Sequence, residues 1–388
     1  MSRGTPQAHA RRRVGIREAA GTASGSAVLV TRPANIHYLT GLRPAGAALL
    51  LPPGPAGEAG EDLLILPPGP APLGPDRPDT PLAGTLPEIP TDPEPRLSRV
   101  FHPEPLLEAA RLVRTAGAGA LAVEEHHLTV TRHRALTAAL GGAPLVDLGC
   151  AVERRRLVKD EWELDALRTA AEITDRALGE LLESILVGRT ERHLALELER
   201  RLVDHGAEAP ALPTSVGSGP HSGLPDHRPT DRRVEEGDFL TVRLGARHGG
   251  YGCQIARTFV IGGRPADWQI ELHELVFAAQ RAGREALRPG VECREVDRAA
   301  RSVLEAAGHG PAPGTSTGHG VGLEIGEDPR LSPVAMGRLG PRVPVTVEPG
   351  VHLPGRGGVR IDDTLVVRPE ADGGPELLTI TTKELLAL

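Results

Sequence analysis

A few residues of this 388-residue chain have side chains that could take part in chemistry. His319 lies in the segment Gly318-His319-Gly320-Val321-Gly322, which is not typical of a phosphate-binding loop because the lysine and the strand-then-helix context are missing. Cys253 could be a nucleophile, but no paired base is apparent, so a buried cysteine is the better interpretation. The pair that could serve as general base and orienting group is His319 with Glu348.

The composition excludes several classes of protein. The net charge is −7, from 51 acidic and 44 basic residues, whereas nucleic-acid binders usually carry a basic stripe. No apolar run approaches the roughly 20 residues of a membrane helix, and the first residues lack the apolar stretch of a signal peptide. The three cysteines show neither disulfide nor metal-site spacing. We therefore expect a soluble cytoplasmic protein that binds neither nucleic acid nor membrane.

The elements that must position these residues are predicted to form two domains. Residues 1–14, with their short basic run, are interpreted as a disordered, solvated tail. Residues 15–151 are predicted to form a smaller α/β domain. It contains a Pro-rich surface excursion at 52–98 around one short strand, because each proline removes a backbone donor. Residues 152–388 follow as an α+β domain with helices covering one sheet face.

The α+β domain begins with a strong helix signal. Asp160, with Glu163 three residues later, predicts a capping box, and apolar residues then follow at helical spacing as far as Gly188. Thr190 is predicted to cap the next helix.

Over both domains, further helices are predicted at 128–140, 267–287 and 295–307. Strands are predicted at 28–31, 47–51, 63–66, 120–123, 239–244, 254–261, 344–347 and 359–367.

Long motifs, in order from about 152 to 368, resemble the family of aminopeptidase P, prolidase, methionine aminopeptidase and creatinase. They include Leu157-Val158-Lys159-Asp160-Glu161-Trp162-Glu163, Leu224-Pro225-Asp226-His227-Arg228-Pro229, Thr317-Gly318-His319-Gly320-Val321-Gly322, Thr346-Val347-Glu348-Pro349-Gly350 and Gly357-Gly358-Val359-Arg360-Ile361-Asp362-Asp363. The segment 30–41 is similar to the smaller domain of that family. The resemblance implies a pita-bread C-terminal domain, a smaller α/β creatinase-like N-terminal domain, and a homodimer.

The resemblance also implies a dinuclear metal site, from which this sequence departs. Members of the family hold two divalent ions with two Asp, one His and two Glu. His319 and Glu348 match the histidine and the first glutamate, whereas Asp362 replaces the second glutamate. Arg243 and Gln254 stand at the two aspartate positions with the family spacing, since 254 − 243 = 11. We therefore expect no cofactor, with manganese or another divalent ion bound only if the family site still works.

Around the metal positions, the histidines by which the family orients its substrate are also replaced. Their positions are Asp226, followed by His227, and then Thr315 and Gly326, which we assign to the substrate-binding cleft. Arg360, typical of the family, is retained. The candidate catalytic residues are His319, Glu348 and Arg360.

Alternation along strand 239–244 places Arg243 on the same face as Thr241. We expect the Arg243 guanidinium to fill the space of a metal and to fork onto Glu348 or Asp362, because its planar donors match a carboxylate. Two carboxylates should also raise the pKa of His319.

Three functions are compatible with these residues. The first is a pseudo-peptidase that binds a peptide, a small molecule or a protein partner in the old cleft. The second is a metal-free hydrolase resembling creatinase, with His319 and Glu348 as base and orienting group. The third is a manganese- or cobalt-dependent Xaa–Pro peptidase. Arg243 argues against the third, because like charges about 4 Å apart cost several kcal/mol at intermediate dielectric.

Overall fold

The chain divides into two compact units, Met1–Arg156 and Leu157–Leu388. The computed structural model describes residues 6–21, 25–54, 60–68, 97–184, 186–310 and 315–388. The division falls five residues after the predicted boundary at 152. The short helix Ala151–Arg156 contacts the helices of the first unit, and Arg156 Nη1 donates to Asn35 Oδ1 at 2.7 Å.

The helices of the described residues begin and end close to the predicted positions wherever a cap was recognised. Both hydrogen bonds of the capping box between Asp160 and Glu163 are present, and the side chain of Thr190 accepts a hydrogen bond from the backbone N–H of His193. No helix in these ranges is long and apolar enough to cross a membrane. The helices are α1 (Pro6–Ala19), α2 (Pro33–Thr40), α3 (Pro105–Thr115), α4 (Val130–Leu140), α5 (Ala151–Arg156), α6 (Glu161–Leu182), α7 (Glu191–Asp204), α8 (Asp267–Glu285) and α9 (Cys293–Ala306).

The strands of the described residues fall into five sheets. In the first unit they are β1 (Ser26–Val30), β2 (Ala48–Leu51), β3 (Asp62–Leu66), β4 (Leu97–Phe101), β5 (Ala120–Val123) and β6 (Leu145–Asp147). In the second unit they are β7 (Ala209–Pro210), β8 (Ser215–Ser218), β9 (Phe239–Leu244), β10 (Ala246–His248), β11 (Tyr251–Gly252), β12 (Ile255–Val260), β13 (Gly318–Val321), β14 (Ile325–Leu331), β15 (Pro344–Val347), β16 (Gly350–Leu353), β17 (Gly357–Arg360), β18 (Asp363–Val366) and β19 (Glu376–Leu377).

The first unit is an α/β structure around one mixed sheet in the order β4-β3-β2-β1-β5-β6. Strand β1 pairs antiparallel with β2 and parallel with β5. Alternate strand residues such as Leu29 and Leu121 pack against Ala109 and Val113 of α3 and against Leu136 of α4. Burial of this apolar face is what holds the short strands together. Most of the predicted Pro-rich excursion, residues 69–96, lies outside the described residues.

The second unit packs α8 and α9 against antiparallel sheets. Val276 of α8 lies in a buried cluster with Phe239 and Val260, and Val296 of α9 lies in another with Val345. The sheet β12-β9-β8 and the sheet β14-β13-β15-β18-β19 carry the candidate site residues. The prediction of one strand over 359–367 is wrong, because the chain leaves the ladder at Ile361 and Asp362 between β17 and β18.

The prediction that residues 1–14 form a disordered tail is wrong for residues 6–14. They belong to α1, in which Arg13 and Arg17 are buried and both pair with the buried carboxylate of Asp62. Arg13 Nε lies 2.6 Å from Asp62 Oδ2, and its Nη1 donates to Leu39 O at 2.8 Å. The basic run is therefore held by buried ionic contacts rather than solvated.

Replacing Asp62 with Asn should destabilise the first unit by about 3–5 kcal/mol, because the guanidiniums of Arg13 and Arg17 would stay buried without this carboxylate. Urea unfolding followed by circular dichroism measures the change. The matched control is Glu125→Gln at an exposed position, which should leave the midpoint nearly unchanged. Equal midpoints for Asp62→Asn and the wild type would show that α1 is not anchored through this carboxylate.

Candidate functional site

Backbone pairing brings the two replaced aspartate positions to the same sheet edge as Asp362. In the β9–β12 ladder Arg243 lies opposite Ala256, and Ala256 in turn bridges to Asp362. The bridge consists of Asp362 N donating to Ala256 O at 3.1 Å and Ala256 N donating to Asp362 O at 3.3 Å. Gln254 directly precedes β12. This bridge explains why the chain is interrupted between β17 and β18.

The neighbouring sheet supplies the other two positions. His319 lies in β13, and Glu348 directly follows β15, the strand that pairs with β13. Glu348 N donates to Thr317 O at 2.8 Å, which holds the turn after β15 against β13. Thus the structure brings all five family positions together on strands and strand ends, as the family resemblance implied.

The two carboxylates of the site are held by Arg360 and Gln254. Arg360 Nε donates to both oxygens of Asp362, at 2.8 and 3.0 Å, and Arg360 Nη2 donates to Glu348 Oε2 at 2.5 Å. Gln254 Nε2 donates to Glu348 Oε2 at 2.9 Å and to Asp362 Oδ2 at 2.7 Å. Asp362 is fully buried, and charge-assisted bonds of this kind are the strong ones. The guanidinium therefore bridges the carboxylates.

His319 completes this network from the side of β13. Its Nδ1 lies 3.0 Å from Gly320 O, where a ring N–H donates, and its Nε2 lies 3.4 Å from Glu348 Oε2. Although burial opposes the charged form, the interaction with Glu348 raises the pKa of His319. The predicted direction of this pKa shift is confirmed. With a carbonyl at one nitrogen and a carboxylate at the other, the imidazolium form fits both neighbours.

The electrostatics of the carboxylate pair are asymmetric. Burial opposes ionisation of Glu348, yet Arg360 and His319 hold its pKa below the usual range. Burial raises the pKa of Asp362 in spite of Arg360.

The predicted fork of Arg243 onto Glu348 or Asp362 is wrong, since Arg360 makes that fork. Arg243 is half-buried on the same face as Thr241, as alternation predicted. Its side chain makes no hydrogen bond or ion pair within the described part of the chain. Burial and then Arg360 lower the pKa of Arg243, while Asp362 and Glu348 raise it, so these groups are its electrostatic neighbours.

The structure separates the four predicted cleft residues into different settings. Asp226 is exposed, whereas the side chain of His227 is 8% exposed and is held by Glu191. Thr315 is exposed, and its carbonyl accepts from Arg301 at 2.7 Å. Gly326 has a φ of +82°, a backbone conformation in which a histidine would be strained.

A cluster of Glu191, His221 and His227 was not recognised from the sequence as a unit. The Glu191 carboxylate is fully buried and accepts from His221 Nδ1 at 2.9 Å and from His227 Nε2 at 2.8 Å. The backbone and hydroxyl groups of Ser218 and Thr230 also donate to it. With so many donors on two oxygens, Glu191 anchors the loop between β8 and β9. The signal for its role is its position at the start of α7, beside the cap.

Cys253, next to Gln254, is buried, which confirms the prediction of a buried cysteine, and burial raises the pKa of its thiol to about 11. His352 of β16 was missed by the sequence analysis, although the segment Glu348-Pro349-Gly350 drew attention to its neighbourhood. Its Nδ1 is buried without a hydrogen-bond partner among the described residues.

Comparison with known proteins places this geometry in context. The profile of metallopeptidase family M24 matches residues 165–369. A Xaa-Pro dipeptidase of Pyrococcus furiosus is 39% identical over 231 residues, which cover 60% of this chain and 65% of that relative's length. An uncharacterized peptidase of Bacillus subtilis, YqhT, is 36% identical over 279 residues, covering 72% of this chain and 78% of the relative.

Solved structures match over nearly the whole chain. A Xaa-Pro dipeptidase from Bacillus anthracis superimposes with a TM-score of 0.84 at 30% identity, covering 98% of this chain and all of that one. A prolidase from Pyrococcus horikoshii superimposes with a TM-score of 0.82 at 30% identity, covering 97% of this chain and 99% of that one. These likenesses confirm the predicted pita-bread α+β fold.

The Glu191 anchor predicts a specific acid sensitivity. Although burial opposes ionisation, bonds from Ser218, His227 and Thr230 lower the pKa of Glu191 from 4.5 to about 2. The group therefore stabilises the fold above pH 4.5, and this stabilisation is lost as the pH falls towards about 2. The stability advantage of the wild type over Glu191→Gln should shrink by about 3 kcal/mol across this window, as urea midpoints at successive pH values measure.

Glu172→Gln, at an exposed position without a carboxylate anchor role, is the matched control and should follow the wild-type pH profile. A constant difference between wild type and Glu191→Gln from neutral to acidic pH would contradict the prediction.

Proposed function

We propose that this chain, which belongs to metallopeptidase family M24, has lost the dinuclear metal centre and uses the family cleft to bind a ligand. The observation that carries the proposal is the bridge from Arg360 to Glu348 and Asp362, with Gln254 between them. The oxygens that would coordinate metal accept hydrogen bonds from the protein itself.

The donor set does not fit a pair of divalent ions. The family ligands include four carboxylates, whereas this chain has two, Glu348 and Asp362. The formal negative charges of these two carboxylates are offset by the positive charges of Arg243 and Arg360. Within the residues that the structure describes, three or more metal-ligating side chains converge in two groups, and neither contains His319, Glu348 or Asp362. Gln254 offers a neutral amide whose nitrogen, in this arrangement, faces both carboxylates.

Arg243 adds a repulsive term to the missing ligands. A guanidinium cannot give up its proton near neutral pH, so it remains a cation at a position where the family places an anionic ligand. At about 4 Å, the repulsion between two unit charges is several kcal/mol at intermediate dielectric, and a divalent ion doubles it. Affinity for a metal therefore falls both by lost attraction and by added repulsion.

The ligand of the cleft is proposed to be a peptide or a small molecule, with a protein partner as the further alternative. The similar proteins from Pyrococcus furiosus and Bacillus anthracis carry the name Xaa-Pro dipeptidase, which supports a ligand related to a peptide. We also propose that the protein acts as a homodimer in the cytoplasm, as the family resemblance implies.

The alternative of a metal-free hydrolase is supported by the approach of His319 to Glu348. However, a general base must be free to take a proton, and the pKa of His319 is raised by this carboxylate. Glu348 Oε2 also accepts from both Arg360 and Gln254. His319 and Glu348 are therefore better suited to stabilising the hydrogen-bonded network of the two carboxylates than to abstracting a proton.

Manganese uptake and peptide hydrolysis test the proposal. After incubation with Mn²⁺ and desalting, elemental analysis of the wild type should find well under one ion per chain, and glycyl-proline should not be hydrolysed. The variant R243D/Q254D should bind Mn²⁺ and gain thermal stability with rising Mn²⁺, because it exchanges a cation and an amide for two carboxylates.

The control for overall charge is Arg264→Asp at an exposed position, which should leave manganese binding at the wild-type level. Two tightly bound manganese ions per wild-type chain, together with hydrolysis of glycyl-proline at ordinary enzymatic rates, would overturn the proposal.

A further inference from the structure

We infer that Arg243 anchors an oxyanion group, a carboxylate or a phosphate, of the molecule that the cleft binds. This inference rests on the proposed loss of the metal centre. It adds that the site has reversed its preference, since a position that normally attracts metal cations now presents a cation to the ligand.

The hydrogen bonds of the two buried carboxylates are made without Arg243. Arg360 bridges Glu348 and Asp362 through three short contacts, and Gln254 donates to both. The side chain of Arg243 donates to neither carboxylate, so its guanidinium keeps its donors for another molecule.

The side chain of Arg243 is neither paired nor freely solvated. It is half-buried in β9 and has no ion pair or hydrogen bond to any described residue. A charge withdrawn from water without a partner is costly, and a bound anion would supply the partner. The planar donors of a guanidinium match the two oxygens of a carboxylate or phosphate.

The charged groups that act on Arg243 are Arg360, Asp362, Glu348 and Asp226. Asp226 is exposed and belongs to the loop between β8 and β9, so its field is screened by solvent more strongly than that of the buried pair. Asp226 nevertheless competes with a bound anion for Arg243. Removing its charge should therefore strengthen anion binding.

A second nitrogen in this region also lacks a partner. His352 Nδ1 is buried without a hydrogen bond, and the charged groups that act most on His352 are Arg360 and Asp226, which also act on Arg243. Buried polar atoms normally have partners, and an exception in a native structure calls for an explanation. A ligand held at Arg243 could supply this second contact.

Binding of succinate and of inorganic phosphate tests the inference, by isothermal titration calorimetry and thermal unfolding at constant ionic strength with EDTA present. At least one of the two should bind saturably, and chloride should not. Arg243→Gln should weaken binding by about tenfold or more, Arg243→Lys should weaken it less, and Asp226→Asn should strengthen it. Preference for succinate or for phosphate identifies the oxyanion.

Stability without ligand gives an independent readout. Arg243→Gln should be at least as stable as the wild type, because it removes a half-buried charge whose side chain makes no ion pair or hydrogen bond with a described residue. Arg264→Gln, the exposed control, should change neither stability nor anion binding. A large loss of stability in Arg243→Gln would show a structural role and contradict the inference.

Saturable binding of neither anion, equal binding by Arg243→Gln, or weaker binding by Asp226→Asn would each overturn the inference. These outcomes are separable from failure of the proposed function. Since EDTA removes divalent ions from the anion experiment, absence of anion binding leaves the loss of the metal centre standing, whereas manganese uptake by the wild type is measured on its own.

Discussion

The arrangement of the candidate site depends on one guanidinium, that of Arg360, between two carboxylates. Glu348 and Asp362 come from different strand ends and would repel each other in a buried setting. Arg360 removes this repulsion by donating to both. Because Arg360 is two residues from Asp362, on the strand that leads to it, the pairing requires little ordering of the chain. Gln254 Nε2 and His319 Nε2 in turn contact carboxylates that this side chain already holds.

The same proximity explains why the partner of Arg243 was predicted wrongly. Alternation along β9 correctly gave the face on which Arg243 lies, because side-chain direction in a strand follows from a period of two residues. Alternation does not predict whether the guanidinium of Arg243 or that of Arg360 binds the carboxylates. That choice depends on side-chain geometry at the junction of β17 and β18, where Asp362 leaves one ladder to bridge Ala256. The sequence predicted one continuous strand there, so the competition was not visible.

Elements that are set by residues close together in the sequence were predicted correctly, whereas features that depend on partners far along the chain were missed. The capping box at Asp160 and the Thr190 cap are made by residues three apart, so their spacing alone indicates where α6 and α7 begin. The helix α1 depends instead on Asp62, far along the chain, whose carboxylate forms ion pairs with the buried Arg13 and Arg17. A basic run without that partner is typical of a solvated tail. The Glu191 anchor escaped prediction for the same reason, since its donors lie 27 to 39 residues further along the chain, at the end of β8 and in the loop between β8 and β9.

The backbone of the site is held by contacts that do not involve a metal position's side chain. Thr364 Oγ1 accepts from Gln254 N at 3.1 Å and donates to Gln254 O at 2.8 Å. Arg257 donates to Asp362 O at 2.7 Å and to the Asp363 carboxylate at 2.7 Å. These bonds fix the strand ends whatever side chain stands at 243 or 254. Substitution at the metal positions could therefore change the charge of the cleft without loss of its shape. Evolution of a fold in this way separates architecture from chemistry, because each is carried by different atoms of the same residues.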